Sequence, residues 1–347
     1  MMRSKMKKIF ASLLAATFVV GLTACGGGGA TGGGTANSGA AADPDQVFTL
    51  NMHTQQNEAH PIVQGFYRMA DVVYERSEGR LVLQVFPSAQ LGSDDEVIEQ
   101  IRMGVPNTAL TDGSAMGSFV PEFALLLAPY IAESYDDMLQ VLASDTFAGW
   151  ADRLAEGYGI RVLSFNWYDG QRHFMTNNPV HTPADLNGIR IRTPGSPMFQ
   201  ESIRAMGGTP VAMPFGETYP AIQQGAVDGL EVQLSSAYTS SIYEVVSYMS
   251  RTGHFHLLNG VITSETWFRS LPDDLRDILT EEMARHGEEV ARIVIDMSDE
   301  FERLMVEYHG LTVIEPDLAA FVEAASAVFE ILELEEARDE LFAELGW

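Results

Sequence analysis

Apolar and polar positions along this chain change period repeatedly, and each change marks an element. Phe48, Leu50 and Met52 alternate with polar neighbours, the two-residue period of a half-buried strand. Between His60 and Glu78 the apolar residues Ile62, Phe66, Met69 and Val73 recur at threes and fours, the stripe of an amphipathic helix, and Gly79 ends it. Leu81–Phe86 reads as a second strand. Ser93 with Glu96 forms a capping box, predicting a helix through Ile101 that stops at Gly104. The alternation continues with a strand near Ala109, helices within 135–156, and strands at 160–165 and 172–177. The last of these enters a second lobe after a turn at Tyr168, Asp169, Gly170 and Gln171. Residues 273–310 are periodic and free of proline, and periodicity leaves one bent helix and two successive helices equally open. No unit repeats at a fixed period.

Strand–helix alternation of this kind predicts an α/β fold with mostly parallel, doubly wound sheets. A span of about 300 residues is too large for one compact core, so two lobes are expected. Within the second, Ile189 and Ile191 alternate with Arg190 and Arg192, which sets both arginines on one strand face. Pro194 stops pairing, and Ser196-Pro197 opens a helix with proline at its first position. Arg192 therefore stands at the carboxyl end of a strand, where open α/β sheets place ligand contacts.

Composition changes this picture at the N-terminus. Arg3, Lys5, Lys7 and Lys8 precede an apolar run from Ile9 to Leu22 that is too short to span a bilayer. Leu22-Thr23-Ala24-Cys25 has the form of a bacterial lipobox, and Cys25 is the only cysteine in the chain. Residues 1–24 are expected to be a lipoprotein signal peptide. Residues 25–46 would be a lipidated cysteine and a flexible linker, since seven of the nine residues 26–34 are glycine. Removing the four basic leader residues takes the formal charge from −27 to −31. That acidity argues against nucleic acid and anionic lipid as partners. It also means that a site for an anionic solute must be locally positive, which makes the few arginines informative.

The span 185–231 also resembles the solute-binding proteins of TRAP transporters, the DctP-like family. The resemblance rests on the strand end Ile191-Arg192-Thr193-Pro194 and on a run comprising Met213, Phe215, Glu217, Tyr219, Ala221, Ile222, Gln223, Gly225, Val227, Asp228, Gly229 and Glu231. Matching pieces occur at 86–92, 121–130 and 168–172. It implies a two-lobe periplasmic-binding-protein-like fold with a hinge and a long connecting helix. Lobe one would comprise 46–169 plus 258–297, and lobe two 170–257 plus 298–347, with a ligand cleft between them.

The resemblance further implies that Arg192 pairs with a ligand carboxylate, that Arg172 touches the ligand, and that Phe215 closes over it. Asp112 would bind hydroxyls, and Gln55 and Gln56 would supply polar contacts. Near Glu231 the chain reads Val232-Gln233, where sialic-acid binders carry an asparagine after the glutamate. Val232 cannot donate that hydrogen bond, which argues against sialic acid, and Gln233 is the residue that would compensate. The implied partners are a small organic anion (a dicarboxylate, keto acid or sugar acid), TRAP permease membrane subunits, and a membrane reached through lipidated Cys25. No G-x-S-x-G, H-E-x-x-H or P-loop occurs, so neither an enzyme nor a cofactor is expected. His254 and His256 share a strand face without an evident third ligand, so no metal is expected. Two rival readings are a sensor lipoprotein docking on a membrane kinase and a secreted two-lobe hydrolase or isomerase.

Overall fold

The computed structural model describes residues 46–347; the expected signal peptide, Cys25 and the glycine-rich linker lie outside the described residues. The strands are β1 (Phe48–His53), β2 (Leu81–Phe86), β3 (Asn107–Asp112), β4 (Ile160–Thr176), β5 (Arg190–Thr193), β6 (Thr209–Ala212), β7 (Gly229–Gln233), β8 (Tyr248–Ser264) and β9 (Thr312–Ile314). They form one sheet in the order β2-β1-β3-β8-β4-β7-β5-β6, with β9 beside β8. Its flanks β2-β1-β3 and β7-β5-β6 are parallel, as strand–helix alternation requires. The middle is antiparallel: β3 with β8, β8 with β4, and β4 with β7. The two flanks belong to the two lobes, and β4 and β8, each 17 residues long, run from one to the other.

The expected break at 168–171 is therefore not a turn. The structure carries β4 straight through it, with register shifts against β8 between Val162 and Ser164, Ser164 and Trp167, Tyr168 and Gln171, and Arg172 and Phe174. Each bulge bends the strand without ending it, and Gly170, at φ +101°, takes a conformation that other residues resist. Nor is the sheet mostly parallel at its centre, because strands that cross between lobes and return must pair antiparallel.

Local signals appear as read. His60 caps the helix Pro61–Arg76, whose Ile62, Phe66, Met69 and Val73 are all fully buried. Ser93 and Glu96 make both halves of the capping box on Asp94–Arg102. Residues 273–309 form a single helix ended by Gly310 in the left-handed conformation. Its first half packs Leu275, Leu279, Met283 and Val290 with Leu50 and Phe66, and its second half packs Phe301 and Met305 with Met175 and Leu230. One helix thus supplies core residues to both lobes.

The C-terminal segment reaches both lobes: Phe321 and Ala325 pack with Phe174, Ile191 and Ile203 of lobe two. Val328, Phe329, Leu334 and Leu341 pack in one cluster with Ile98, Phe123, Tyr135 and Trp150. Glu344 also accepts the backbone N–H of Asp145 at 2.8 Å, capping the helix Asp145–Tyr158. The segment thus starts on lobe two and ends with its last helix, Glu335–Leu345, against lobe one.

Candidate functional site

Between the flanks lies a cleft of about 950 Å³. The carboxyl ends of the six flank strands open into it: Thr54 to Asn57 after β1, Ser88 after β2, Asp112 of β3, Arg192 of β5, Met213 to Phe215 after β6, and Val232 and Gln233 of β7. That convergence follows from parallel topology, which points every such strand end the same way. Gln55, Gln56, Asp112, Arg172, Arg192, Phe215 and Gln233 all line this one cleft. Glu231 does not. Its side chain is fully buried behind Arg172, accepting from that guanidinium and from Thr193 Oγ1 at 2.7 Å.

The two cleft arginines have different surroundings. Arg172, 5% exposed, is paired within the fold: it bonds the Glu231 carboxylate and donates to Gln233 Oε1 at 2.9 Å and to the Glu231 carbonyl at 2.8 Å. Its guanidinium also lies 5.0 Å from the Phe199 ring. Arg192, 4% exposed, donates from Nε and Nη2 to a single carbonyl, that of Met213, at 3.1 and 2.8 Å. Its Nη1 makes no hydrogen bond among the described residues. Every other arginine among them has a carboxylate oxygen within 4.0 Å; Arg192 has none. Burial lowers its pKa to about 10, a fall that Glu231 opposes and Arg172 deepens. It remains a cation at neutral pH, without a counter-ion, under the Phe215 ring at 5.4 Å.

Facing it are groups from the other flank. Gln55 donates to Asp94 and accepts the Phe215 backbone N–H at 3.3 Å, so one amide ties the two sides together. Asp94 also receives His53 Nε2 at 2.9 Å. Asp112 caps the short helix Gly113–Met116, accepting from Ala115 N–H at 3.0 Å. Burial pushes its carboxyl up to about 6. Gln56 and Ser236 are 3.2 Å apart, and Asn57 donates to the Thr239 carbonyl at 3.1 Å. Gln233 is committed to Arg172, Asp169 and Ser236, so it braces Arg172 and does not take the place of an asparagine at Val232.

Asp94 was absent from the sequence-derived set although it lines the cleft beside Gln55. Its place just after an N-cap serine had marked it only as a helix start. His254 and His256 stand apart from the cleft lining. His254 stacks on Phe174 at 4.5 Å, and His256 bonds the Tyr168 hydroxyl at 2.8 Å. Among the described residues no group of acids and histidines is arranged to hold a metal ion, and no helix is long and apolar enough to cross a membrane.

Comparison with known proteins agrees with this architecture. The model of bacterial extracellular solute-binding protein, family 7 (DctP), matches residues 52–335. The chain is 29% identical over 291 residues to the sialic acid-binding periplasmic protein SiaP of Vibrio cholerae, covering 84% of this chain and 90% of that one. A TRAP periplasmic solute-binding protein of Escherichia fergusonii superposes with a TM-score of 0.76 at 33% identity, covering 85% of this chain and 99% of the other. Another, from Ochrobacterium anthropi with bound L-fuconate, superposes with a TM-score of 0.83 at 28% identity over 86% and 99%. These relatives are binding proteins of transporters and not enzymes. A two-lobed chain whose parallel strand ends converge on a cleft with an unpaired buried arginine, and which the family model matches over residues 52–335, belongs to the DctP family of bacterial extracellular solute-binding proteins.

Proposed function

We propose that the protein captures a small organic anion by pairing its carboxylate with Arg192 and delivers it to TRAP permease subunits in the membrane. The observation that carries this reading is the isolation of Arg192: a buried guanidinium without a counter-ion, open to a cleft of ligand size. A carboxylate there completes two charge-assisted hydrogen bonds in a fork that fits its geometry. Arg172 stands behind as a second positive charge held in place by Glu231 and Gln233, and Phe215 covers Arg192 from the loop after β6. Asp112, Gln55 and Gln56 offer the far end of the ligand its hydrogen-bonding partners. The lipobox ending at Cys25 supports a lipid anchor on the extracytoplasmic side, with residues 26–46 as the tether.

Arg192→Ala tests the reading. Removing one member of a desolvated charge pair costs roughly 2–5 kcal/mol, about two to three orders of magnitude in affinity. Titration calorimetry against an organic-acid panel, with circular dichroism to confirm the fold, should show that loss. Undiminished affinity for the same acid would remove Arg192 from the site.

A further inference from the structure

The charges lining the cleft are sorted by side. Arg192 and Arg172 belong to the β7-β5-β6 side and the bridging strand β4, whereas Asp94, Asp95, Glu99 and Asp112 all come from the β2-β1-β3 side. Acids alone would be unremarkable in so acidic a chain. What orients this arrangement is Arg192, buried, unpaired and facing the same space. A ligand whose carboxylate sits on Arg192 must direct its other end at carboxylates. Asp94 accepts from His53 and Gln55, and Asp112 accepts from Ala115 N–H, while the second Asp112 oxygen accepts from no side chain among the described residues. Such oxygens welcome hydroxyl donors and repel a second carboxylate.

Resting on the carboxylate reading above, we propose that the cleft selects a polyhydroxy monocarboxylate, with its carboxylate on Arg192 and its hydroxyl end on Asp112 and Asp94, and admits a dicarboxylate only together with a proton. In the dicarboxylate case the proton sits on Asp112. Its O–H then donates to the ligand's distal carboxylate, and one proton is taken up from solvent for each dianion bound. The groups facing Asp112 fit this. Burial raises its pKa and nearby Asp94 adds to the rise, while Arg172 and the N–H groups of Ala115 and Ser114 act against it. The remaining charged groups of the lining are Arg192, Asp95 and Glu99. A dianion closing over Asp112 adds negative charge and removes water, and both favour the protonated form.

The test is calorimetry on the purified chain with matched probes: gluconate and galactonate against their dicarboxylate counterparts glucarate and galactarate, and succinate. Above pH 6, at least one monocarboxylate should bind, and its dicarboxylate counterpart should be weaker by on the order of a hundredfold. Below pH 6 the gap should narrow, and buffers of different ionisation enthalpy should register proton uptake with the dicarboxylate alone. Asp112→Asn keeps the acceptor for Ala115 and should close the gap at all pH values. A dicarboxylate that binds as tightly as the best monocarboxylate above pH 6, with Arg192→Ala abolishing both, overturns this selectivity and leaves the carboxylate site standing. Failure of every probe, or binding that survives Arg192→Ala, overturns the carboxylate site and the selectivity with it.

Discussion

Arg190 and Arg192 share one strand face two residues apart, and their surroundings assign them opposite work. Arg190 engages all three guanidinium nitrogens within the fold, on both oxygens of Asp228 and on the carbonyls of Gly225 and Ala226. Its strand, β5, lies inside the sheet between β7 and β6. Arg190→Ala should leave ligand affinity unchanged and barely move stability, since the pair is solvent-screened. Calorimetry and a denaturant midpoint would show both. Arg192→Lys should lose most of the binding without any loss of fold, because a point charge cannot hold a carboxylate in two parallel bonds. A lysine variant of native affinity would mean that only charge matters there.

At the scale of elements, Gly260 on β8 is a contact that no pattern announces. A Cβ built there would lie 2.1 Å from the Phe165 ring of β4, where the two crossing strands press together. Gly260→Ala should therefore cost about 1–3 kcal/mol, read as a lower urea midpoint with an unchanged slope. The same strands show where sequence reasoning stopped. Helix stripes and the Ser93 capping box were legible because their causes lie within a few residues. Tyr168 to Gln171 looked like a turn because glycine and aspartate punctuate it, and only pairing with β8, distant in sequence, shows a bulged strand. In the cleft, Arg192 and Arg172 were legible as residues, but that Glu231 neutralises one and nothing neutralises the other is a property of the assembled sheet. Asp94 was hidden by its second role at a helix start.

Across the whole molecule, buried histidines set the response to acid. Burial lowers His173 and His256 to about 4, with Arg251 and His256 adding to the fall at His173; burial also holds His254 well below its ordinary value. An unfolded chain takes up these protons near pH 6.5, before the folded one does. Their contribution to stability is thus complete above pH 6.5 and declines as pH falls, for His173 and His256 by a few kcal/mol, order of magnitude, toward pH 4. Asp112 has the reverse sign: its raised pKa stabilises the fold below the ordinary carboxylate range and ceases to do so as pH rises through about 6. Several histidines outweigh one aspartate, so the ligand-free melting temperature should fall between pH 7 and pH 4.5. His256→Asn should flatten that fall. A melting temperature that held steady or rose on acidification would contradict the balance drawn here.

The central position of β8 also fixes when the protein can fold. As the chain emerges from the N-terminus, β1, β2, β3 and then β4 to β7 are complete long before Tyr248. Yet β3 and β4 have no common neighbour until β8 arrives to lie between them. The helix that fills both cores comes later still. Such late, long-range closure makes folding slow and leaves a growing chain without a stable intermediate to rest in. A polypeptide ending at Ser247 should be digested rapidly and melt without a cooperative transition. For a protein that works outside the cytoplasm, staying unfolded until nearly all of it has been made leaves the chain pliable enough to be threaded through a narrow translocation pore.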